Sequence, residues 1–225
     1  MDASPDRQAI LFDLDGTLTD PLVGITRSLG YALEKLGCAA PAADELRWCI
    51  GPPIQSSFAV LLETEDAAIV GEAVRLYRER YSAIGKFENT LIEGVPEALA
   101  ELVAEGFYLA VATSKLKTYA GEIIDHFDLR RYFSVVYGSE FDGRNSVKAE
   151  LVSHILAVEA LDARRTVMIG DRSHDVAGAN ANGVFAIGVL WGYGDRQELE
   201  TAGAARIVAS PAELRGSIAA LLEPV

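Results

Sequence analysis

Two cysteines in 225 residues, Cys38 and Cys49, make neither a C-x-x-C pair nor a metal-ligand spacing. They read as small core residues of a reducing compartment rather than as a disulfide or a zinc site. Only three histidines are present, and they make no ligand set: His126 and His154 fall in helical patterns, and His174 stands between Ser173 and Asp175. Basic residues are scarce, 20 against 33 acidic ones, for a formal charge of −13. Such a chain repels polyphosphate backbones, which argues against nucleic acid as a partner. It also means that an anionic substrate needs local cations or a metal ion. No apolar run approaches a membrane span, and the polar start from Met1 to Gln8, with Asp2 and Asp6, is unlike a secretory signal. A cytoplasmic protein, monomeric or homodimeric and without membrane attachment, is expected. There is no internal repeat and no low-complexity segment.

What is present begins with Ala9-Ile10-Leu11-Phe12, an apolar stretch that runs straight into Asp13-Leu14-Asp15-Gly16-Thr17-Leu18. Apolar strands of this kind lie inside parallel sheets, covered on both faces. Two acids at the end of one are costly to bury without a cation or proton between them. A turn in which Asp13 is a cap and Asp15-Gly16 the corner also fits these residues alone.

From about residue 20 to 88 the pattern is helix after helix, with Leu22, Ile25, Leu29, Leu33 and Leu36 at helical spacing up to Gly37. A short helix over Pro41–Ile50, a break at Gly51-Pro52-Pro53, a helix over Ile54–Leu62 and a longer one from Val70 to Ile84 follow. Beyond it, strands alternate with helices. Strands are expected at Phe107–Ala112, Phe133–Tyr137, Thr166–Ile169, Val184–Leu190 and around Ile207-Val208. Pro96 opens one helix, and Ser210-Pro211-Ala212-Glu213 has the form of a capping box before the last. The fold class is therefore α/β: a doubly wound parallel sheet, core 1–19 and 89–225, with an all-helical domain, 20–88, inserted after the first strand.

Three polar clusters follow three of those strands: Asp13-Asp15-Gly16-Thr17, Thr113-Ser114-Lys115 and Gly170-Asp171 through Asp175. Parallel strands bring their carboxyl ends to one edge, so the clusters converge. Four carboxylates there repel one another, and a hard dication such as Mg²⁺ is the usual remedy. Asp171 and Asp175, four apart, would share a helix face; an N-cap and a first-turn acid is the plainer alternative. Thr113, Ser114 and Lys115 are expected where a helix begins and offers free N–H groups to an anion, though an ordinary cap fits as well. Lys148, at the start of a helix, is another cation available to a phosphate, with Lys115 and Lys117 as rivals and a solvated lysine as the plain reading. Leu14 and Gly16 are expected to touch phosphate from the first turn. His174 is a further candidate to touch substrate, with a residue of no such role as the plainer reading.

Asp13 through Leu18, Thr113, Lys148 and Gly170 through Asp175 resemble, in order, the four motifs of the haloacid dehalogenase superfamily, and the helical insertion resembles its type 1 cap. The resemblance implies that Asp13 is the nucleophile of a phosphoryl transfer and Asp15 the general acid and base. It implies that Thr113 binds a phosphate oxygen and that Lys148 balances charge. Asp171 would ligate Mg²⁺ with Asp13 and the backbone carbonyl of Asp15, and Asp175 would assist. The acid at Asp15 points away from dehalogenases and ATPases of the superfamily, towards phosphatase or phosphomutase. Gly51-Pro52-Pro53, Asp20 and Gly188 through Gly194 look most like phosphoglycolate phosphatases, some relatives of which resemble 5′-nucleotidases. A small phosphomonoester is the expected substrate, 2-phosphoglycolate first and a nucleoside monophosphate second. A phosphomutase like β-phosphoglucomutase and a non-catalytic binding module are the rivals. Arg47 and the loop through Gln55 are where the cap is expected to reach substrate, with Pro21 and Glu88–Gly94 as hinges of its closure.

Overall fold

Strands buried on both faces need apolar residues at successive positions, and the inner strands of the main sheet meet that need with runs such as Ala9-Ile10-Leu11-Phe12 and Val167-Met168-Ile169. The structure, a computed structural model, describes residues 7–222; the polar N-terminal stretch that carries Asp2 and Asp6 lies outside the described residues. In chain order the elements are β1 (Ala9–Phe12), β2 (Thr19–Asp20), α1 (Leu22–Lys35), α2 (Ile54–Leu61), α3 (Ala67–Ala83), β3 (Thr90–Leu91), α4 (Val95–Ala104) and β4 (Tyr108–Leu116). They continue with α5 (Lys117–His126), β5 (Val135–Ser139), α6 (Lys148–Val158), β6 (Thr166–Gly170), α7 (Ser173–Asn180), β7 (Phe185–Val189), α8 (Arg196–Ala202), β8 (Arg206–Val208) and α9 (Leu214–Leu222).

Six strands form one parallel sheet in the order β5-β4-β1-β6-β7-β8. Ile10, Phe12, Leu109, Val111, Val167 and Ile169 face a core built with α4, α5 and α9. Their neighbours Ala9, Leu11, Ala110, Ala112 and Met168 face a second core built with α6, α7 and α8. The period-two alternation thus places helices on both faces. The chain leaves β1 for β4 and β5 on one side and returns to β6 on the other. The switch point therefore lies at β1 and β6, the crevice where open α/β sheets bind ligands.

The chain divides into two units, one running to Thr19 and resuming at Leu91, the other Asp20–Thr90. In the second unit α1 to α3 carry the apolar pattern inward through Ile25, Leu29, Leu33, Phe58, Val74, Tyr77 and Tyr81. Arg80 and Arg27 both bind Glu88, at 2.7 and 2.8 Å. The segment expected as a helix over Pro41–Ile50 is a 3₁₀ helix, Ala43–Cys49.

Several expectations need correction. Cys49 is buried, and burial pushes its thiol up to about 11, but Cys38 lies just beyond Gly37 at the end of α1 and is exposed, not core. Thr113 to Lys115 do not begin a helix: β4 runs through Leu116, which pairs with Ser139 of β5, and α5 starts at Lys117. At Ser210 the hydroxyl donates to Glu213 Oε1 rather than capping a backbone N–H, and a 3₁₀ turn, Pro211–Glu213, precedes α9. Among the described residues no helix is long and apolar enough to cross a membrane.

Candidate active site

Past the end of β1 the Asp13 N–H still donates to Ile169 O at 2.9 Å, extending the ladder onto β6 by one residue. The chain then turns tightly: the Leu14 carbonyl accepts from the N–H groups of Thr17, Leu18 and Thr19, and the Gly16 N–H donates to Thr19 O at 2.7 Å. Leu14 turns its side chain into the core. Gly16 has φ +82°, and a Cβ on it would overlap the Asp171 carboxylate and the Tyr193 ring. Glycine is required there twice, by conformation and by space.

Asp171 follows β6 and is fully buried. It lies before the helix, since α7 opens at Ser173, so it does not share a helix face with Asp175. The two carboxylates meet because the strand end and the first turn converge. Asp171 Oδ1 accepts from the Thr17 hydroxyl at 3.2 Å, and Oδ2 from the Tyr193 N–H at 2.8 Å. Asp175 both accepts the Arg172 N–H at 3.1 Å, as a first-turn acid does, and faces Lys148.

Lys148 is the first residue of α6, and its ammonium is buried among three acceptors: Asp13 Oδ1 at 2.8 Å, Asp175 Oδ1 at 2.7 Å and the Ala112 carbonyl at 2.8 Å. Burial alone would lower its pKa, but Asp13 and Asp175 outweigh that and raise it, so the lysine stays charged. Burial also acts on Asp175, yet Lys148 and His174 pull its carboxyl below the usual range. At Asp13 burial raises the pKa, Lys148 opposes it and Asp175 adds to it, with an upward sum. Asp171 has no cation in contact. Burial, then Asp175, then Asp13 push its carboxyl well above the usual carboxylate range.

Oxygen atoms of Asp13, Asp171 and Asp175 lie within 4.8 Å of one another. Asp15 is not in this group: its Oδ2 is 2.6 Å from Lys115 Nζ, and its Oδ1 is buried without a hydrogen-bond partner. Among the described residues, three buried carboxylates thus converge with Lys148 as the one ammonium between them, and the pKa of Asp171 is pushed up by burial and by its acidic neighbours. The donors are hard oxygens and the acids outnumber the cation, so the residues fit a hard divalent cation.

Thr113 is buried at the same sheet edge and accepts the Lys115 N–H at 3.2 Å, and Ser114 next to it is half-buried. His174 Nε2 is 4.0 Å from Asp175 Oδ1, whereas His126 and His154 are exposed. Arg47 is exposed on the 3₁₀ helix of the Asp20–Thr90 unit.

Some parts of the site lay outside the sequence reading. Thr17 had no assigned partner, and α8 was not foreseen, although Glu198 from it accepts the Ser173 N–H at 2.7 Å and Arg172 Nε at 3.0 Å. The signal was present, because Asp195 caps α8 by accepting the Glu198 N–H at 2.7 Å, and Asp-x-x-Glu is a helix-start pattern.

The family model of haloacid dehalogenase-like hydrolases matches residues 10–189. A 5′-nucleotidase of Pseudomonas aeruginosa is 49% identical over 192 residues, 84% of this chain and 86% of that protein. Tyrosine-protein kinase PtkA of Mycobacterium tuberculosis is 41% identical over 187 residues, 83% of this chain but only 63% of that longer protein. A phosphoglycolate phosphatase of Agrobacterium fabrum is 29% identical over 200 residues, 87% of this chain and 85% of that one. Among solved structures, a predicted phosphatase of Clostridium acetobutylicum superposes with a TM-score of 0.90 at 38% identity, covering 94% of this chain and 98% of that one.

Proposed function

The chain belongs to the haloacid dehalogenase-like hydrolases, and we propose from that premise that it hydrolyses a small phosphomonoester through an aspartyl-phosphate on Asp13. One observation carries the reading. Two acids a residue apart stand in different charged surroundings, Asp13 on Lys148 and Asp15 on Lys115, which suits two different jobs.

Asp13 attacks phosphorus while Lys148 holds the attacking carboxylate in place. Asp15 gives a proton to the departing alkoxide and later takes one from the water that cleaves the acyl phosphate. Thr113 still has its O–H to donate to a phosphoryl oxygen, since it is a lone pair that receives the Lys115 N–H. Ser114 lies beside it for the same use. The contribution of Leu14 is a backbone one, because its side chain is in the core. Gly16 contributes space for Asp171. Mg²⁺ held by Asp13, Asp171 and the Asp15 backbone carbonyl, with Asp175 directly or through water, would supply neutralisation of the phosphoryl charge when bound.

The likeness to a 5′-nucleotidase at 49% against 29% for a phosphoglycolate phosphatase favours a nucleoside 5′-monophosphate as first substrate and 2-phosphoglycolate as second. Arg47 and the loop through Gln55 are our candidates for residues that choose between them.

Phosphate release from nucleoside 5′-monophosphates, 2-phosphoglycolate, phosphotyrosine and p-nitrophenyl phosphate, with Mg²⁺ and with chelator, tests this. We expect the highest kcat/KM on a nucleotide, loss with chelator, and a fall of about a thousandfold or more in Asp13→Asn. Full release by Asp13→Asn would remove the mechanism, and a preference for 2-phosphoglycolate would reverse the order of substrates.

A further inference from the structure

Lys115 occupies a place that the backbone goes out of its way to provide. Strand β4 shifts register against β5 between Ala112 and Leu116, and such an irregularity re-aims the side chains within it. Beneath the shift lies Gly138, where a Cβ would stand 2.6 Å from the Lys115 carbonyl oxygen and 2.7 Å from Lys117 Cα. Only glycine lets the two strands come so close. The Lys115 N–H is fixed on Thr113 Oγ1.

The side chain that results is 8% exposed, and its ammonium is 2.6 Å from Asp15 Oδ2. The other oxygen, Asp15 Oδ1, is buried and has no hydrogen-bond partner. A buried carboxylate oxygen left bare is costly and calls for a use. A lysine whose only task was to hold phosphate would not need to grip one oxygen of the neighbouring acid and leave the second one open.

We infer that Lys115 is a positioning residue for Asp15, which grips Oδ2 and so makes Oδ1 the oxygen that exchanges protons with the reacting groups. The inference rests on the role proposed above for Asp15. In the first step an Asp13 oxygen bonds to phosphorus and the bond from phosphorus to the leaving oxygen breaks. That oxygen takes the proton of Oδ1 and departs as an alcohol, leaving Asp15 as a carboxylate on Lys115. In the second step water bonds to phosphorus and gives a proton to Oδ1, and the bond from phosphorus to Asp13 breaks to release phosphate.

The discriminating quantity is kcat/KM, which reports the steps through departure of the alcohol. An alkoxide needs the proton to leave, and p-nitrophenolate does not. We expect Lys115→Met to lower kcat/KM for the best alkyl phosphate about tenfold or more beyond its effect on p-nitrophenyl phosphate. In an Asp15→Asn background the same change should cost the alkyl ester less than about twofold, because the two residues act as one unit. Equal losses on both esters would make Lys115 a plain phosphate ligand, and equal costs in both backgrounds would separate it from Asp15; either overturns the inference. Asp15→Asn that leaves the ratio between the two esters unchanged would instead remove the general acid itself, a different failure. Lys115→Gln is carried in parallel as a variant of similar length. Should neither variant fold, the Lys115 ammonium protons in the NMR spectrum of the otherwise unaltered chain serve: Asp15 shelters them from exchange, and their persistence in Asp15→Asn would overturn the inference.

Discussion

At the scale of single residues the site is governed by how few cations serve its acids. Lys148 donates to Asp13 Oδ1 and to the Ala112 carbonyl and lies 2.7 Å from Asp175 Oδ1, so one ammonium serves two buried carboxylates. Lys148→Met would leave two buried carboxylates facing each other, a loss of about 3–5 kcal/mol, read from urea melts with chelator present; a loss under about 1 kcal/mol would mean that the ammonium does not hold this edge together. Asp171 makes the complementary case. Its folded pKa is raised above the unfolded value by burial, Asp175 and Asp13, so its contribution to stability is fully present below the ordinary carboxylate value and is lost as pH rises through the raised one. A metal ion needs the deprotonated form. The gain in Tm from Mg²⁺ should therefore grow as pH rises from mildly acidic to neutral, with chelator-treated protein as the baseline. A gain that is flat with pH would count against Asp171 as a ligand. Asp13, Asp15, Lys148 and Asp171 were legible as candidates because each follows or opens an element with an apolar run, and Asp175 because it stands four residues after Asp171. The partner of Lys115 was not, since its side chain is aimed by Gly138, more than twenty positions away.

Elements decide how firmly Asp171 is held. The loop after β7 lies over it: the Gly194 N–H donates to the Asp171 carbonyl at 3.1 Å, the Tyr193 N–H to its carboxylate, and Trp191 Nε1 to Thr17 O at 3.1 Å. A Cβ at Gly192 would overlap Asp171 itself. Gly192→Ala should lower kcat/KM about a hundredfold by displacing the carboxylate and weaken Mg²⁺ binding by calorimetry, while the circular dichroism spectrum stays that of the parent. Unchanged Mg²⁺ affinity would mean that the loop does not set the position of Asp171. Strands β1, β4, β6 and β7 were legible because sheet strands covered on both faces are short apolar runs. The start of α5 was placed too early because nothing local in Thr113-Ser114-Lys115 announces pairing with β5. That pairing is a tertiary contact, and it overrides the capping propensity of Thr and Ser. The 3₁₀ form of Ala43–Cys49 was likewise beyond a pattern that reports only helical spacing.

For the whole molecule, the division of the chain separates chemistry from the helical insertion. All six charged residues of the site belong to the unit that ends at Thr19 and resumes at Leu91, and the strands where the chain crosses, β2 and β3, pair with each other. Residues 21–89 can therefore be replaced by a short Gly-Ser link between Asp20 and Thr90 without asking the sheet to rearrange, because the link closes a loop already held at both ends. The shortened chain should keep a stabilisation by Mg²⁺ of about 2.7 kcal/mol at a hundredfold excess over Kd, since every proposed ligand is retained. It should retain slow turnover of p-nitrophenyl phosphate but lose most of the proposed preference for nucleotides, because Arg47 and the loop through Gln55, the proposed selectors of substrate, are gone. Thermal melts with and without Mg²⁺ check the first expectation and the ratio of kcat/KM values the second. A folded shortened chain that still prefers nucleotides would place the choice of substrate in the α/β unit. The residues to search would then be those at its sheet edge, His174 and Ser114 first, since each adjoins in the chain a residue of the proposed site and is half-buried rather than in the core.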